Sequence, residues 1–323
     1  MCEDDSYTSL TYIISVQLFR RLVMNWLLVC LIVLMPSTPR AQDVSQIYVA
    51  YPPGGLGDIL ARHVSKYIGP LQVVNIPGPL NQQAAKTAFR NNQLMSVETS
   101  SLAITPEIYG REKSYDMYDN FQRAIILGSS PMVLVVNADL PINNVAEFKR
   151  YNADNNVDVT YATAGSITIV AALEFLELAK IKARPIPYKG GADAIQAVMG
   201  GHVTFHFGNL TGAITQTRVK IIAVGTQNRV DQLPEVMTVK EQLGKTLTTK
   251  GYFGVGLPNG INSDMANVWA NRFKLLCGSN QFAADMSKYG FTVECLNGAA
   301  YHTTITNQQK FYRDMITKYG LQR

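Results

Sequence analysis

An α/β protein with mainly parallel sheets flanked by helices is the fold class this sequence predicts, and three observations predict it. Short strand patterns alternate with helical ones along the chain, and several strand ends carry glycine-rich loops that open into helices. With 323 residues, 47% of them apolar, the chain is long enough for two domains. Sheets of this kind place ligands at the carboxyl ends of their strands.

The amino-terminal segment, 1–41, stands apart. Arg20 and Arg21 precede an apolar run from Leu22 to Met35, and the polar stretch Pro36-Ser37-Thr38-Pro39-Arg40-Ala41 follows it. That layout predicts a secretory signal peptide cut after Ala41, hence a periplasmic protein. The run is shorter than the roughly 20 apolar residues of a membrane span. Met1 to Phe19 is long and acidic for a leader, which points to an over-extended start and a true one nearer Val23 or Met24. Cys30 lacks small residues ahead of it and is not read as a lipid anchor. Beyond the leader only Cys277, at a helix end, and Cys295, in a strand, remain. An oxidising compartment allows them to bridge, but the sequence does not set their Cα separation.

Ile47 to Ala50 form the first strand, which Pro52 and Pro53 stop. Gly54, Gly55 and Gly57 then let backbone amides approach a ligand without a Cβ in the way. The following helix shows its apolar face at Leu60, Val64, Tyr67 and Ile68 and ends at Gly69-Pro70. Amides at such a helix start favour an anion, so a carboxylate or phosphate is the expected guest. Asp58 has two readings: it pairs with Arg62 four residues on, or it points at a polar group of the ligand.

Further along, strands are expected at 73–74, 94–97, 124–127, 133–136, 159–162, 184–186, 203–207 and 220–224, and helices at 82–90, 145–151, 169–179 and 192–199. Three more small or glycine-rich segments follow strand ends: Thr99-Ser100-Ser101, Thr163-Ala164-Gly165-Ser166-Ile167-Thr168, and Tyr188-Lys189-Gly190-Gly191-Ala192-Asp193. Together with the first turn they predict one cleft lined by helix N-termini. The formal charge of +5 is spread along the chain without a basic run, so nucleic acid is excluded as a partner. His202 and His206 lie in an expected strand, where four residues span about 13 Å, too far for one zinc. No catalytic nucleophile, metal site or cofactor is expected.

The ordered motifs resemble the periplasmic substrate-binding receptors of tripartite tricarboxylate transporters, also called Bug receptors. The likeness runs through Pro52-Pro53-Gly54-Gly55 with Asp58, Ala61 and Arg62, then Thr99-Ser100-Ser101 with Ile104, Pro106 and Tyr109. It continues through Gly128 to Asn137, Tyr161 to Gly165, Pro187 to Ala192, Gly200 to Val203, Ala223 to Thr226, Arg229, and Leu233 to Val236. The resemblance implies a two-domain type II periplasmic binding fold with two crossover strands as hinge. It divides the chain into domain one, 43–133 with 252–323, and domain two, 134–251. It also implies a small organic carboxylate as ligand, membrane transporter subunits as partners, a monomer, and no enzymatic activity. Carried over by position, the ligand-binding residues are Pro53, Gly54, Gly55, Asp58, Thr99 and Ser100 on one lobe and Thr163, Gly165, Ser166 and Thr168 on the other.

This chain departs from the family's pattern in places. Asn75-Ile76-Pro77-Gly78-Pro79-Leu80-Asn81 stands where the family usually has Asn-Arg-Pro-Gly-Ala-Gly-Gly, and Ile169, Val170 and Ala171 stand where a histidine usually opens the helix. Two other functions stay open from the sequence: an exported α/β enzyme acting on a phosphorylated or carboxylated small molecule, with Asp58 or Lys189 in acid–base work, and an orphan sensory receptor of the same fold.

Overall fold

The computed structural model describes residues 45–78, 82–110, 125–154, 158–247 and 249–321. The expected leader lies outside them, as do Pro79, Leu80 and Asn81 of the altered motif. In chain order the first part comprises β1 (Gln46–Val49), α1 (Leu56–Ile68), β2 (Gln72–Asn75), α2 (Gln82–Arg90), β3 (Leu94–Glu98), α3 (Thr99–Tyr109), β4 (Ile125–Ser130) and β5 (Met132–Asn137). Next come α4 (Val145–Asp154), β6 (Thr160–Thr163), α5 (Ser166–Ala179), β7 (Arg184–Pro187), α6 (Gly191–Met199), β8 (Phe205–Asn209), α7 (Leu210–Ala213) and β9 (Val219–Val224). The chain closes with α8 (Val239–Leu243), β10 (Gly251–Gly256), α9 (Ser263–Cys277), α10 (Asn280–Ser287), β11 (Thr292–Leu296) and α11 (Gly298–Tyr319).

The strands form two sheets, ordered β11-β4-β10-β3-β1-β2 and β7-β6-β8-β5-β9. Each has a parallel part, β2-β1-β3 in one and β7-β6-β8 in the other, where helices carry the chain back across the sheet. The remaining five pairings are antiparallel, so the sheets are mixed where the strand–helix rhythm predicts mainly parallel ones. The difference arises at the crossing between sheets. β4 belongs to the first sheet and β5 to the second with only Pro131 between them, and no helical return separates them to align them with their neighbours.

Both sheets are covered on two faces. On the first, Ile47 and Val49 pack with Leu60, Val64, Trp269, Phe273 and Phe282, while Tyr48 and Ala50 face Ala84, Ala85 and Ala88 of α2. On the second, Phe148, Phe175, Phe205 and Phe207 fill one side, and Val133, Val135, Ala194 and Val198 the other. That is why β5 reads as an unbroken apolar run rather than an alternating one. The expected polar turn at Thr99 is instead the first turn of α3, a helix that contains Pro106. Proline in a helix interior removes one hydrogen bond and masks the helical signal in the sequence.

Cys277 ends α9 and Cys295 lies in β11, and the two form a disulfide with Cα atoms 5.9 Å apart. The bridge ties helix to sheet across 18 residues of chain, a loop whose closure is worth about 3 kcal/mol in the chain-entropy model. Urea unfolding with and without reductant checks this: reduction, or the paired Cys277→Ala and Cys295→Ala substitutions, is expected to lower stability by about 3 kcal/mol.

Candidate functional site

The turn after β1 is held by a buried carboxylate. Gly54 has φ of +88°, in the left-handed region that favours glycine, and its N–H donates to Asp58 Oδ2 at 3.0 Å. Arg62 donates to the same carboxylate through Nε at 2.9 Å and through Nη2 at 3.0 Å. Asn75 Nδ2 bridges to Asp58 Oδ1 and to the carbonyl of Tyr51, each at 3.0 Å. Burial pushes the Asp58 carboxyl up, but hydrogen bonds from Arg62, the Gly54 amide and Asn75 together outweigh it and hold it below the ordinary carboxylate range. The pairing with Arg62 is therefore made, and Asp58 is spent on the turn rather than on the cavity beside it.

That cavity, about 50 Å³, lies between the two sheets at the carboxyl ends of their strands. Leu56 and Gly57 open α1, Gly191 opens α6 and Thr168 stands in the first turn of α5; all four line it. The first amides of a helix have no partner within it, and the macrodipole favours a negative group there. Three helix starts, drawn from both sheets, thus converge on one small space. The approach is close: a Cβ on Gly190 would lie 2.7 Å from Pro52 Cδ, so glycine at this position lets the turn before α6 meet the turn after β1.

Of the residues expected at the site, Gly55 and Thr168 line the cavity. The Thr168 hydroxyl is committed to its own turn, donating to the Gly165 carbonyl at 2.9 Å and accepting from the Ala164 amide at 2.8 Å. Pro53, Gly54, Asp58, Thr99, Thr163, Gly165 and Ser166 do not line it; Pro53, Gly54 and Gly165 are exposed and the other four are buried. Gly165, at φ +110°, shapes the turn into α5; Ser166 Oγ meets Thr105 Oγ1 of α3 at 3.2 Å; Thr99 is fully buried. The Ser100 side chain lies outside the described residues. Lys189 is exposed.

Sequence reasoning misses Tyr51, Glu98, His206, Asn209 and Phe253, all of which line the cavity. Glu98 falls between the strand expected at 94–97 and the polar turn expected at Thr99. Its place follows from the two-residue period of β3: Ser96, on the same face, donates to the Gly57 carbonyl at 2.9 Å, so Glu98 emerges one step further on, beside the start of α1. His206 and Gly208, both buried, share one face of β8, and the imidazole fills the space a Cβ on Gly208 would need. Its Nδ1 lies 2.9 Å from the Ala162 carbonyl, which only accepts, so Nδ1 carries the proton and Nε2 is bare. Burial pushes this histidine down to about 4 despite that bond. It is neutral at pH 7.

A family model described as "Tripartite tricarboxylate transporter family receptor" matches residues 79–321. The chain belongs to this family. The receptor is 26% identical over 303 residues to the "UPF0065 protein in gbd 5'region" of Cupriavidus necator, covering 89% of this chain and 92% of that one. Its fold is similar to the periplasmic binding protein BugD, with a TM-score of 0.76 at 21% identity over 86% of this chain and 97% of that structure. The R. palustris protein Rpa4515, solved with adipate, gives a TM-score of 0.75 at 19% identity over 88% and 99%. The receptor thus has the two-domain periplasmic binding protein fold that the motifs imply.

Among the described residues no group of three or more His, Cys, Asp or Glu side chains is placed to hold a metal ion. His202 is exposed whereas His206 is buried, so the two do not converge.

Two measurements check the site's electrostatics. Asp58→Ala removes the acceptor of Gly54, Arg62 and Asn75, and is expected to cost about 2 kcal/mol in urea unfolding, the scale of leaving buried donors unmet. His206 binds its proton more weakly folded than unfolded, so its neutral form stabilises the receptor above pH 6.5 and that stability is lost as pH falls toward 4. Between pH 7 and 4.5 the loss is expected to reach about 2–3 kcal/mol and to vanish in His206→Asn. The contribution of Asp58 is lost only below about pH 4, outside that window.

Proposed function

We propose that this receptor captures a small organic carboxylate in the periplasm and delivers it, as a monomer, to the membrane subunits of a tripartite tricarboxylate-type transporter, without converting it. The observation that carries the reading is the convergence of three helix N-termini from two sheets on one cavity. Family membership and the adipate held by Rpa4515 support a carboxylate as cargo.

The mechanism is closure. The lobes, 43–133 with 252–323 and 134–251, part to admit the ligand and close on it, and the ligand favours the closed form by what it touches on both sides. The carboxylate then meets the amides at Leu56 and Gly57 from one lobe and at Gly191 from the other. The two residues named for an enzyme reading do not serve it: Asp58 is engaged by Arg62, Gly54 and Asn75, and Lys189 is exposed away from the lining.

A thermal and urea stability panel with dicarboxylates, aromatic carboxylates and phosphate esters tests the proposal. A cognate carboxylate at about 100 times its Kd is expected to add about 2.7 kcal/mol and to be recovered unchanged. A response to phosphate esters alone, or turnover of the bound compound, overturns it.

A further inference from the structure

Among the described residues His206 is the only titratable side chain that the second sheet brings to the cavity. It is 1% exposed, on the face of β8 that also carries Gly208. Strand pairing sets Ala162 of β6 beside it, and the Nδ1 proton is given to the Ala162 carbonyl at 2.9 Å. That bond fixes the tautomer and the orientation of the ring. With Nδ1 turned to β6, the other edge of the imidazole lies over Gly208, one step nearer the carboxyl end of the strand, and Nε2 is the ring atom closest to where a Cβ on Gly208 would stand. Asn209, the next residue, lines the cavity, so Nε2 leads the ring toward it.

In this tautomer Nε2 is an acceptor and nothing else. Among the described residues no donor reaches it. Ala164, Gly191, Ile195 and Gly212, which line the cavity from the same side, carry no side-chain donor, and the Thr168 hydroxyl is given to the Gly165 carbonyl. Burial keeps the ring neutral at pH 7, so it is no counter-ion for a carboxylate. It is an acceptor in a wall whose helix starts are donors. Water meets such a nitrogen while the lobes are apart; a ligand that displaces the water on closure must bring a donor of its own or leave a buried acceptor unmet.

We propose that the ligand is a hydroxylated carboxylate and that His206 is its specificity-determining residue, Nε2 accepting from the ligand hydroxyl while the carboxylate lies on the amides that open α1 and α6. This rests on the carboxylate-capture reading above and narrows it. A hydroxyl matches a neutral ring because it supplies the donor without bringing a further charge into the wall. Gly208 completes the arrangement, since any larger residue there would take the place of the imidazole edge.

Calorimetric titration of the purified protein with matched pairs tests the proposal: lactate against propionate, 2-hydroxyglutarate against glutarate, and 2-hydroxyadipate against adipate. In each pair that binds, the hydroxylated member is expected to bind about tenfold more tightly or better, the scale of a buried acceptor met rather than left unmet. His206→Phe keeps a flat ring over Gly208 and removes the acceptor, and is expected to bring the members of each pair to near parity. Nitrogen NMR of the parent protein with isotope-labelled histidine gives a readout that does not depend on how the variant folds. The unprotonated Nε2 resonance of His206 is expected to move upfield when the hydroxylated ligand is added and to hold its place with the matching unhydroxylated acid. Equal binding within the pairs, or an Nε2 resonance that ignores the hydroxylated ligand, overturns the inference and leaves carboxylate capture standing. Unchanged discrimination in a folded His206→Phe overturns the role of His206. Glutamate bound more tightly than 2-hydroxyglutarate overturns the hydroxyl in favour of an ammonium donor. If no member of any pair binds, the inference falls; carboxylate capture stands when another carboxylate stabilises the receptor and falls with it when phosphate esters alone do.

Discussion

The Asp58 carboxylate is the constraint on which the site depends. It is almost fully buried and accepts from Gly54, Arg62 and Asn75, so a turn, a helix and the end of a second strand meet at one charge. Gly54 ties it to the turn, Arg62 to the next turn of α1, and Asn75 to the end of the neighbouring strand. A buried carboxylate survives only when its oxygens are met in this way. Because they are, the amides that open α1 are presented at a fixed height above the carboxyl end of β1. The residue that looked able to touch a ligand builds the platform on which a ligand would rest.

The second sheet and its helices meet that platform at three places. Pro131 is the only residue between β4 and β5, so one crossing between the sheets is a continuous extended strand. Beside it, Ile104 and Ile108 of α3 pack with Ile167 and Val170 of α5 and with Tyr312 and Ile316 of α11, an apolar cluster shared by elements of both lobes. On the cavity side the meeting is finer, glycine against proline at Gly190 and Pro52. A broad apolar seam on one side and a narrow contact at the mouth suit a clamshell that opens without breaking its core.

Much of this was legible in the sequence because its signals are local. The period of α1, the apolar run of β5, the glycine turns before α5 and α6, and the i,i+4 pairing of Asp58 with Arg62 all involve residues near one another in the chain. Convergence of the turns was also readable, since α/β sheets gather such loops at one edge. The lining itself was not. Thr99, Thr163 and Ser166 have the polar atoms a binding residue needs, but in the structure they are buried and do not line this cavity. Glu98 and His206 give no local signal, because one ends a strand and the other sits inside one.

By itself the sequence determined the alternation of elements, the turns that need glycine, the family, and a preference for an anion where helices begin, because each follows from backbone sterics or from neighbours a few residues apart. Tertiary structure alone decided the disulfide, the mixed pairing of the sheets and which residues line the cavity. Those depend on distances between residues far apart in sequence: β10 pairs Phe253 with Glu98, and β6 pairs Ala162 with His206.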